Sequence, residues 1–378
     1  MWKTVRLGDI AKLYQPKTIS KKEMADDGDH LVYGANGIIG RYHQFNHSTP
    51  QLIIGCRGSC GEVHLTRGKC WITGNAMVIQ PNDEVLNEYL RYFLLQPNIL
   101  RETISGTAQP QITRKSLSPV ELQIPPLEEQ KRIVERLDKA FAEIDCLYSV
   151  NSNKRERIER FVSLSQESFF REVSRSAESM PLREVCYLEN GDRGKNYPSV
   201  KHQISSGVSF VNAGDLTPSG GISEEGVACI SEERFKLLSS GKFQIDDILF
   251  CLRGSLGKSA INKKIKQGAI ASSLVIIRAR REVILPDYIF AFLRSNIVKT
   301  YIRETAGGAA QPNLSAKTVG GYKIPVPSVD QQALISEKFW QIQAFGLEAE
   351  KKVQSNTLGL ESLKAAILKQ ELTPSEAV

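Results

Sequence analysis

The chain has 378 residues, of which 41% are hydrophobic, and its formal net charge is +7. This length allows about two or three domains with packed cores, and the positive charge favours a polyanionic partner, because Lys and Arg displace counterions from phosphates. No apolar run is long enough to cross a bilayer and the N-terminal residues lack a signal peptide's apolar stretch, so we expect a soluble, cytoplasmic protein.

The first part of the chain, residues 1–126, is predicted to be a mixed α/β domain. Short β-branched runs at 51–55 and 76–79 alternate with Gly-rich turns, and the stretch 87–95 has the pattern of a helix. Pro125 and Pro126 mark the end of this domain, because proline interrupts both helices and strand ladders.

Residues 127–173 are predicted to form one long helix, or two in line, because they scarcely contain Gly or Pro. A polar linker at 174–180 leads into a second mixed α/β domain at 181–327, a second long helix at 328–372 and a tail at 373–378. The apolar residues with helical or 4-3 spacing, predicted to pair the helices, are Ile133, Leu137, Ile144, Leu147, Ile335, Phe339, Ile342, Val353, Leu360 and Leu363. The chain is therefore predicted to have an α+β fold.

Each long helix either packs on its own domain or pairs with the other helix. About 40 residues at ~1.5 Å each make a rod of roughly 60 Å, longer than a small domain is wide, which favours an antiparallel coiled coil. Asn153 and Asn356 either fix the register of that pair, as a buried Asn does in coiled coils, or are solvated surface residues.

The second half of the chain repeats the first. The repeated positions are Gly106, Gln109, Pro110 and Gln130 in the first copy, and Gly308, Gln311, Pro312 and Gln331 in the second. The two Gly-x-x-Gln-Pro motifs are 202 residues apart, whereas the glutamines near the helix starts are 201 residues apart. When the copies are aligned on Ile124 and Ile324, the second copy has one extra residue before its helix. A tandem duplication with a long helix in each copy can hold two similar binding units at a fixed separation. This arrangement favours a recognition function over a single catalytic cleft.

Seven cysteines are present, and Cys56, Cys60 and Cys70 form the cluster that invites a metal or disulfide interpretation. Arg57-Gly-Ser and Arg253-Gly-Ser align 196 residues apart, and at this offset Cys56 and Cys60 correspond to Leu252 and Leu256. Positions that accept Leu are small buried apolar sites, so no metal site is predicted. The odd number of cysteines in a cytosolic chain favours reduced thiols.

Polar stretches that differ between the copies contain the residue types that read base edges and hold phosphates. The second copy has 21 more residues here, since Ile10 to Arg57 spans 47 residues and Val185 to Arg253 spans 68. The predicted DNA contacts are Lys17, Lys21, Lys22, Asn36, Arg41, His43, Gln44 and Arg57 in the first copy, and Arg193, Lys195, Asn196, Tyr197, Lys201, His202 and Arg253 in the second. The alternative for each is a solvated loop residue, and the two repeated arginines lie either in structural ion pairs or near phosphate.

No catalytic site is predicted. Gly254-Ser-Leu-Gly-Lys-Ser259 ends like a phosphate-binding loop, but Leu252 stands where that motif requires Gly, and the repeat mate at 58–62 has no Lys. The chain also lacks the Asn/Asp-Pro-Pro-aromatic motif of amino-methyltransferases, HExxH and Gly-x-Ser-x-Gly.

The doubled order of domain, Gly-x-x-Gln-Pro turn, Ile-Pro segment and long helix resembles the specificity subunit of a type I restriction-modification system. The similarity extends over essentially the whole chain, and further marks are the run 33–40 and the domain starts Leu7-Gly-Asp-Ile10 and Leu182-Arg-Glu-Val185. The run 33–40 has no evident mate in the second copy, so we expect the two domains to differ in their loops.

The resemblance implies a division of labour. Each mixed domain would be a target recognition domain that reads one half of an asymmetric bipartite sequence in double-stranded DNA. The helices would set the spacing and dock two methyltransferase subunits, with restriction subunits joining that core. The chain itself would be no enzyme and hold no cofactor, because S-adenosylmethionine, ATP and Mg would belong to those partners.

Two other hypotheses remain at this point: a coiled-coil scaffold that binds proteins only, and the recognition fragment of a fused DNA methyltransferase. The basic loops count against the first. The second requires a cofactor site that the sequence does not reveal.

Overall fold

The computed structural model describes residues 2–106, 109–306 and 313–374. The chain divides into two compact units: unit 1 comprises Met1–Ser152 and Ser355–Val378, and unit 2 comprises Asn153–Gln354. Each unit therefore contains one mixed α/β domain together with a part of both long helices. Within the described residues, no helix combines the length and apolar character needed to cross a membrane.

Unit 1 is built around two small sheets. Its domain has, in chain order, β1 (Lys3–Arg6), α1 (Leu7–Ile10), β2 (Ala11–Tyr14), β3 (His30–Gly34), β4 (Gly37–Tyr42), β5 (Leu52–Gly55), β6 (Val63–Leu65), β7 (Cys70–Ile72), β8 (Ala76–Pro81), α2 (Asn87–Leu94), β9 (Ile104–Ser105), β10 (Gln111–Ile112), α3 (Arg114–Leu117) and β11 (Glu121–Ile124). The long helix α4 (Leu127–Val173) follows, and its residues up to Ser152 belong to unit 1. One sheet is antiparallel with the order β2-β8-β5-β6, and the other has the order β4-β3-β7 with β3 and β7 parallel. The first and last strands of the domain, β1 and β11, pair with each other.

The apolar run of β5 is buried on both faces, which explains why it does not alternate with polar residues. Successive side chains of a strand point to opposite faces. Leu52 and Ile54 join the core that contains Tyr89 of α2, whereas Ile53 packs in the cluster that contains Tyr33 of β3. The four-stranded sheet is thus the middle layer between the helices and the second sheet.

Unit 2 repeats this architecture with additional elements. In chain order its domain has β12 (Ser179–Pro181), α5 (Leu182–Val185), β13 (Cys186–Asn190), β14 (Val208–Val211), β15 (Cys229–Ile230), α6 (Glu232–Leu237), β16 (Lys242–Gln244), β17 (Ile248–Cys251), β18 (Ser259–Ile261), β19 (Gln267–Ile270), β20 (Leu274–Ala279), α7 (Pro286–Leu293), α8 (Asn296–Ala306), α9 (Ala316–Gly320) and β21 (Lys323–Pro325). The long helix α10 (Val329–Glu371) follows, and its residues up to Gln354 belong to unit 2. The sheet β13-β20-β17-β18 corresponds to the four-stranded sheet of unit 1. The sheet β15-β14-β19-β16 corresponds to the other and has one more strand.

The run 33–40 does have a structural mate, contrary to the sequence-based expectation. In unit 1, Thr73 donates a backbone hydrogen bond to the carbonyl of Tyr33 (2.9 Å), at the end of the parallel pair β3/β7. In unit 2, Ala271 donates the same bond to Val211 (2.8 Å), at the end of the parallel pair β14/β19. The segment of unit 2 that is equivalent to the run 33–40 therefore begins at Val211. Sequence comparison did not detect this equivalence, because the two segments share their backbone hydrogen bonds and not their residue types.

Gln130, at the start of α4, is completely buried and holds the helix against the domain. Its Oε1 accepts a hydrogen bond from the backbone N–H of Leu86 (2.9 Å). Its Nε2 donates to the carbonyls of Glu84 (2.8 Å) and Pro125 (2.9 Å). The side chain thus satisfies three backbone groups that no regular ladder reaches.

In unit 2 the same three bonds are made by Gln332, not by Gln331 as the sequence alignment predicted. Gln332 Oε1 accepts from the N–H of Leu285 (2.8 Å), and its Nε2 donates to the carbonyls of Val283 (3.1 Å) and Pro327 (2.9 Å). Gln331 is exposed. The prediction of Gln331 was wrong by one residue.

The 202 residues that separate the two Gly-x-x-Gln-Pro motifs also separate equivalent residues at the starts of the long helices. This constant offset explains why the sequence alignment chose Gln331 instead of Gln332. Tyr89 donates its hydroxyl hydrogen bond to the carbonyl of Gln123 (2.6 Å), and Tyr288 donates the equivalent bond to the carbonyl of Pro325 (2.8 Å). Gln123 and Pro325 are separated by the motif offset, as are Gln130 and Gln332. Ile124 therefore corresponds to Val326, and the second copy has no extra residue before its helix. Alignment on the identical Ile-Pro pairs introduced the false gap.

The two long helices pack together within each unit, in the antiparallel sense that was predicted. In unit 1, Ile133 and Leu137 of α4 share a buried core with Leu368 of α10. Arg136 of α4 also forms an ion pair with Glu371 of α10 (2.8 Å). The same helices pack on the domain core, so the two alternatives drawn from the sequence both hold.

In unit 2 the pairing involves the other halves of the helices. Ile335 and Phe339 of α10 lie in one core with Phe170 of α4. The rings of Phe161 and Phe345 also meet edge to face, with centroids 5.7 Å apart. This exchange of halves is what an antiparallel pair of repeated helices produces.

The predicted pairing residues differ in their burial. Those buried or partly buried are Ile133, Leu137, Ile144, Ile335, Phe339, Ile342, Val353 and Leu360. Leu147 and Leu363 are instead 48% and 46% exposed, so these two are not enclosed between the helices. Asn153 and Asn356 are also exposed, and the buried Asn of this region is Asn151. The suggestion that Asn153 and Asn356 fix the register is therefore not supported by their placement.

Candidate nucleic-acid interface

One edge of the four-stranded sheet in unit 1 brings together loops that are distant in sequence. Cys56, just after β5, donates its backbone N–H to the carbonyl of Asn75 (2.9 Å), just before β8. Gln15, just after β2, donates its Nε2 to the carbonyl of Gly74 (3.3 Å) and to the sulfur of Cys56 (2.8 Å). We call the loops 15–18, 35–37, 56–61, 73–75 and 109–111 the loop edge of unit 1.

Arg57 is exposed in the tight turn of this edge. Gly58 and Gly61 have φ angles of +76° and +91°, a left-handed conformation that favours glycine. The turn is closed by a hydrogen bond from the N–H of Gly61 to the carbonyl of Gly55 (2.9 Å). The two glycines therefore determine the position from which the guanidinium of Arg57 reaches solvent.

The β3/β4 hairpin reaches the same edge. A Cβ on Gly55 would collide with the carbonyl oxygens of Ala35 and Ser59, so the hairpin tip is in close contact with the arginine turn. Asn36 is exposed at this tip. A bulge follows in the β3/β4 pair, and Ile38 and Ile39 of β4 are about half exposed.

The Gly-x-x-Gln-Pro motif of the first copy also lies beside the turn. Gly106 has a φ of +89°, and a Cβ at this position would lie 2.7 Å from the carbonyl oxygen of Gln109. Both facts explain why the first residue of the motif is glycine. The thiol of Cys60 donates to the carbonyl of Pro110 (2.9 Å). In the second copy, Gly308, Gln311 and Pro312 lie outside the described residues.

Unit 2 has the same arrangement around Arg253. Leu252 donates its backbone N–H to the carbonyl of Ser273 (2.8 Å), the counterpart of the bond from Cys56 to Asn75. Arg193 donates to the carbonyl of Ser272 (3.3 Å), the residue equivalent to Gly74, although the strand registers align Gln15 with Asn190. We call 191–193, 212–215, 252–258, 271–273 and residue 313 the loop edge of unit 2.

The turn that carries Arg253 repeats the glycine geometry of unit 1. Gly254 and Gly257 each have a φ of +77°. Arg253 is exposed and its Nε donates to the side-chain oxygen of Asn313 (3.3 Å). Arg57 and Arg253 are therefore equivalent, with exposed guanidinium groups rather than buried structural ion pairs.

The segment 254–259, whose sequence ends like a phosphate-binding loop, forms a turn whose backbone groups bond within the fold. The N–H of Gly257 donates to Cys251 (3.1 Å) and that of Lys258 donates to Ser255 (3.1 Å), so these groups do not face a ligand. Lys258 Nζ donates to the carbonyl of Ala213 (2.9 Å). A strand, β18, follows instead of the helix that a phosphate loop requires.

The predicted DNA contacts of the first copy fall into two groups. Lys17, Asn36 and Arg57 lie together on the loop edge and are exposed. Arg41 instead donates to the carbonyl of Gly28 (2.6 Å), so its guanidinium holds a loop of the fold. The others, which are exposed away from the contacts that define the edge, are Lys21, Lys22, His43 and Gln44.

In the second copy, Arg193 and Arg253 lie on the loop edge, and Lys195 and Lys201 are exposed. The remaining predicted contacts serve the fold. Asn196 Nδ2 donates to the carbonyl of Leu237 (3.0 Å), Tyr197 packs edge to face on Phe210, and His202 Nδ1 accepts from the N–H of Ser199 (3.2 Å). Asn196, Tyr197 and His202 are thus weaker candidates than the two arginines.

Sequence reasoning missed Gln15 and Asn75, which lie on the loop edge beside Arg57. Both are exposed and carry amide groups that suit adenine edges. The strand registers align Gln15 with Asn190, three residues before Arg193, so the repeat did not mark Gln15 as a counterpart of that arginine.

The cysteines of this region are packing residues. Cys56 is fully buried, as is its counterpart Leu252, and burial raises the pKa of the Cys56 thiol. Across residues 2–106, 109–306 and 313–374, no group of three or more His, Cys, Asp or Glu side chains is placed to hold a metal ion.

Comparison with known proteins identifies the family. Residues 1–159 and 176–356 match the model of the type I restriction modification DNA specificity domain, so the chain belongs to this family. Its members are specificity subunits, which recognise DNA sequence and are not themselves catalytic.

Individual relatives are distant but extend over most of the chain. The MjaVIII specificity subunit of Methanocaldococcus jannaschii is 24% identical, covering 98% of this chain and 92% of that protein. The EcoBI specificity subunit of Escherichia coli is 22% identical, covering 84% of this chain and 72% of that protein.

Two solved structures share the fold. A chain from a study of complex assembly in the type I R-M system has a TM-score of 0.75 at 16% identity, covering 98% of this chain and 97% of that one. The HsdS subunit of Thermoanaerobacter tengcongensis has a TM-score of 0.51 at 17% identity, covering 98% and 96%.

Proposed function

We propose that this chain is the specificity subunit of a type I restriction-modification complex in which the loop edge of each unit reads one half of an asymmetric, bipartite DNA target. The observation that carries the proposal is the duplicated turn that exposes Arg57 in unit 1 and Arg253 in unit 2. A guanidinium suits either the O6/N7 edge of guanine or a backbone phosphate. The long helices α4 and α10 set the spacing between the half-sites.

The surroundings of the two arginines differ, which supports an asymmetric target. The segment between equivalent positions is twice as long in unit 2, from Asp215 to Cys251, as in unit 1, from Gly37 to Gly55. The additional residues form β15, α6 and β16, whereas unit 1 has the bulged hairpin strand β4. Different loops around a common arginine read different bases, because base contacts specify and phosphate contacts position.

Replacement of either arginine by alanine is expected to weaken DNA binding. A lost base contact costs about 1–3 kcal/mol and relaxes the preference at one position, whereas a lost phosphate contact weakens binding to all sequences and lowers the salt slope by about 1. Fluorescence anisotropy with the assembled complex, titrated over salt and over single base-pair changes, distinguishes these outcomes for Arg57→Ala and Arg253→Ala. The control is Arg132→Ala on α4, whose partner is Glu129. Unchanged affinity in both edge variants would rule out the loop edge as the DNA interface.

The exposed apolar residues of the long helices support docking of two methyltransferase subunits, one on each unit. Phe161 of α4 in unit 2 and Leu363 of α10 in unit 1 occupy equivalent positions, because the motif offset also separates this pair. The two side chains are 52% and 46% exposed. Leu164 and Phe345 in unit 2 are also more than half exposed. Large apolar side chains grouped on one surface mark protein interaction sites.

Phe161→Ala and Leu363→Ala are each expected to weaken binding of a methyltransferase subunit about tenfold or more, as truncation of an interface anchor does. The thermal stability of the isolated chain should change little for Leu363→Ala, which is half exposed, and fall modestly for Phe161→Ala, which loses its ring contact with Phe345. Native mass spectrometry of the co-expressed subunits measures the loss. Full retention of both methyltransferase copies in the double variant would contradict docking at these positions.

The chemistry of the complex belongs to the partners in this proposal. S-adenosylmethionine would be bound by the methyltransferase subunits, and ATP and Mg by the restriction subunits. This chain supplies the geometry that places a target adenine before them. A methyl-donor crosslink to the isolated chain would contradict this assignment.

A further inference from the structure

The amide group of Gln15, on the loop edge of unit 1, is held in one orientation by the fold. Its Nε2 donates to the carbonyl of Gly74 (3.3 Å) and to the sulfur of Cys56 (2.8 Å). A backbone carbonyl only accepts hydrogen bonds, so the amide nitrogen, and not the amide oxygen, must face Gly74. The thiol of Cys56 donates its own hydrogen to the carbonyl of Asn75 (3.1 Å), which leaves the sulfur as an acceptor for Gln15. Both amide hydrogens of Gln15 therefore have partners inside the domain.

The loops that hold this amide are packed closely against each other. Gly74 donates its backbone N–H to the hydroxyl oxygen of Thr18 (3.1 Å). A Cβ on Gly74 would lie 2.6 Å from that oxygen and 2.9 Å from the carbonyl oxygen of Pro16. Cys56 is fully buried. The acceptors that hold Gln15 thus belong to a closely packed part of the loop edge, and a side chain fixed before binding loses little rotamer freedom when it binds.

The oxygen of the same amide is free to bind a ligand. Gln15 is exposed, and no group within the described residues donates to its Oε1. Asn36 and Asn75, on the same edge, differ from Gln15, because their side chains make no hydrogen bond in the described part of the chain and can turn either amide atom toward a ligand. Gln15 therefore presents an acceptor alone, with a polarity that the fold determines.

An acceptor in a fixed position distinguishes the bases by their exocyclic groups. In the major groove, adenine presents its N6 amino group and cytosine its N4 amino group as donors. Guanine and thymine instead present the acceptors O6 and O4. An amide oxygen placed against either of these acceptors leaves two oxygens facing each other without a proton between them, which weakens binding.

The equivalent carbonyl of unit 2 has a side chain of the opposite polarity beside it. Ser272, the residue equivalent to Gly74, accepts a hydrogen bond from the guanidinium of Arg193 (3.3 Å). A guanidinium has five N–H donors and no acceptor, so its remaining groups can only donate. Unit 2 thus presents donors, which suit guanine or phosphate, beside the carbonyl where unit 1 presents an acceptor.

We propose that Gln15 is a specificity-determining residue of unit 1, whose Oε1 accepts a hydrogen bond from the exocyclic amino group of one adenine or cytosine in the major groove. The inference rests on the proposed function and names the chemistry that one position of the first half-site must have. The Gln15 amide retains no free donor for the N7 of adenine, so cytosine fits the position as well as adenine does.

The test measures the DNA affinity of the assembled complex by fluorescence anisotropy, with each base pair of the unit 1 half-site changed singly. At one position, replacement of adenine or cytosine by guanine or thymine is expected to weaken wild-type binding about tenfold or more. Removal of the amino group alone, with 2-aminopurine for adenine or 2-pyrimidinone for cytosine, should weaken it as well. Gln15→Met keeps the length of the side chain but lacks the amide, so it should lose this discrimination.

Gln15→Arg provides a change of specificity that damage to the fold would not produce. The introduced guanidinium can donate to the carbonyl of Gly74, as Arg193 donates to Ser272, while its other groups donate outward. We expect the preference at this position to change to guanine, because its O6 and N7 accept hydrogen bonds. Gln80→Met is the control and should leave every base preference unchanged, since Gln80 is exposed at the far end of β8 in the same sheet.

Three outcomes would overturn the inference. The first is a unit 1 half-site in which no position requires an amino group. The second is undiminished discrimination by Gln15→Met. The third is a uniform loss of affinity for all sequences in Gln15→Met together with a lower melting temperature of the free chain, which would mean that the side chain only holds the loop of Gly74. Absence of sequence-specific binding by the wild-type complex would instead contradict the proposed function, and this result is seen before any variant is made.

Discussion

Exchange of residues 1–125 for the first domain of another family member is expected to change one half of the methylated DNA sequence and to leave the other half intact. The physical reason is that the domain of unit 1 has its own sheets, its own core and its own loop edge. Strands β1 and β11 pair with each other, with Lys3 opposite Ile124, so the exchanged segment begins and ends at one place in the fold. The measurement is co-expression with a methyltransferase subunit of a type I restriction-modification system that binds this chain, followed by mapping of methylated adenines across the genome by single-molecule sequencing.

The matched exchange is that of the second domain, residues 181–325, which should change the other half-site. The length of the unspecified spacer should be preserved in both, because the helices α4 and α10 are retained. A change in both halves from a single exchange would contradict the assignment of one half-site to each unit. Absence of any gapped motif, with the chain still bound to the methyltransferase, would favour a scaffold role.

The second large effect is expected from the buried glutamines at the starts of the long helices. Gln130→Ala should lower the free energy of unfolding by about 3 kcal/mol, because it leaves the N–H of Leu86 and the carbonyls of Glu84 and Pro125 without their partner. Gln332→Ala removes the same three bonds in unit 2 and should cost a similar amount. Urea unfolding followed by circular dichroism measures both.

Gln331→Ala is the control for this experiment, because it removes the same side chain from an exposed neighbouring position. Its expected effect is within about 0.5 kcal/mol of zero. Equal destabilisation by Gln331→Ala and Gln332→Ala would contradict the correspondence of Gln130 with Gln332. It would restore the alignment of Gln130 with Gln331 that the sequence suggested.

Local patterns predicted much of the fold. The helices predicted at 127–173 and 328–372 correspond to α4 (Leu127–Val173) and α10 (Val329–Glu371), because helical periodicity and the scarcity of Gly and Pro are properties of adjacent residues. The same apolar spacing did not reveal which side chains are enclosed. Leu147 and Leu363 fit the pattern as well as Ile133 does, yet they are half exposed, because apolar residues recur with helical period whether or not a neighbouring element covers them.

The candidate site was predicted in part. The repeat alone identified Arg57 and Arg253 as equivalent, and the structure places both on exposed glycine turns. Composition did not distinguish Lys17, which lies on the loop edge, from Tyr197, which packs on Phe210. Whether a polar side chain serves the fold or faces solvent depends on neighbours that lie tens of residues away in the chain.

The amino-acid sequence was sufficient to show that this protein is a duplication, that each copy ends in a long helix, and that an arginine before a Gly-Ser turn recurs in each copy. These features follow from periodicity, glycine spacing and internal repetition, which can be read along one chain. Three others required the folded structure: the correspondence of Gln332 with Gln130, the counterpart of the run 33–40 that begins at Val211, and the orientation of the Gln15 amide, whose nitrogen donates to the carbonyl of Gly74. Each of these depends on hydrogen bonds between distant segments, and such bonds leave no periodic mark on a single sequence.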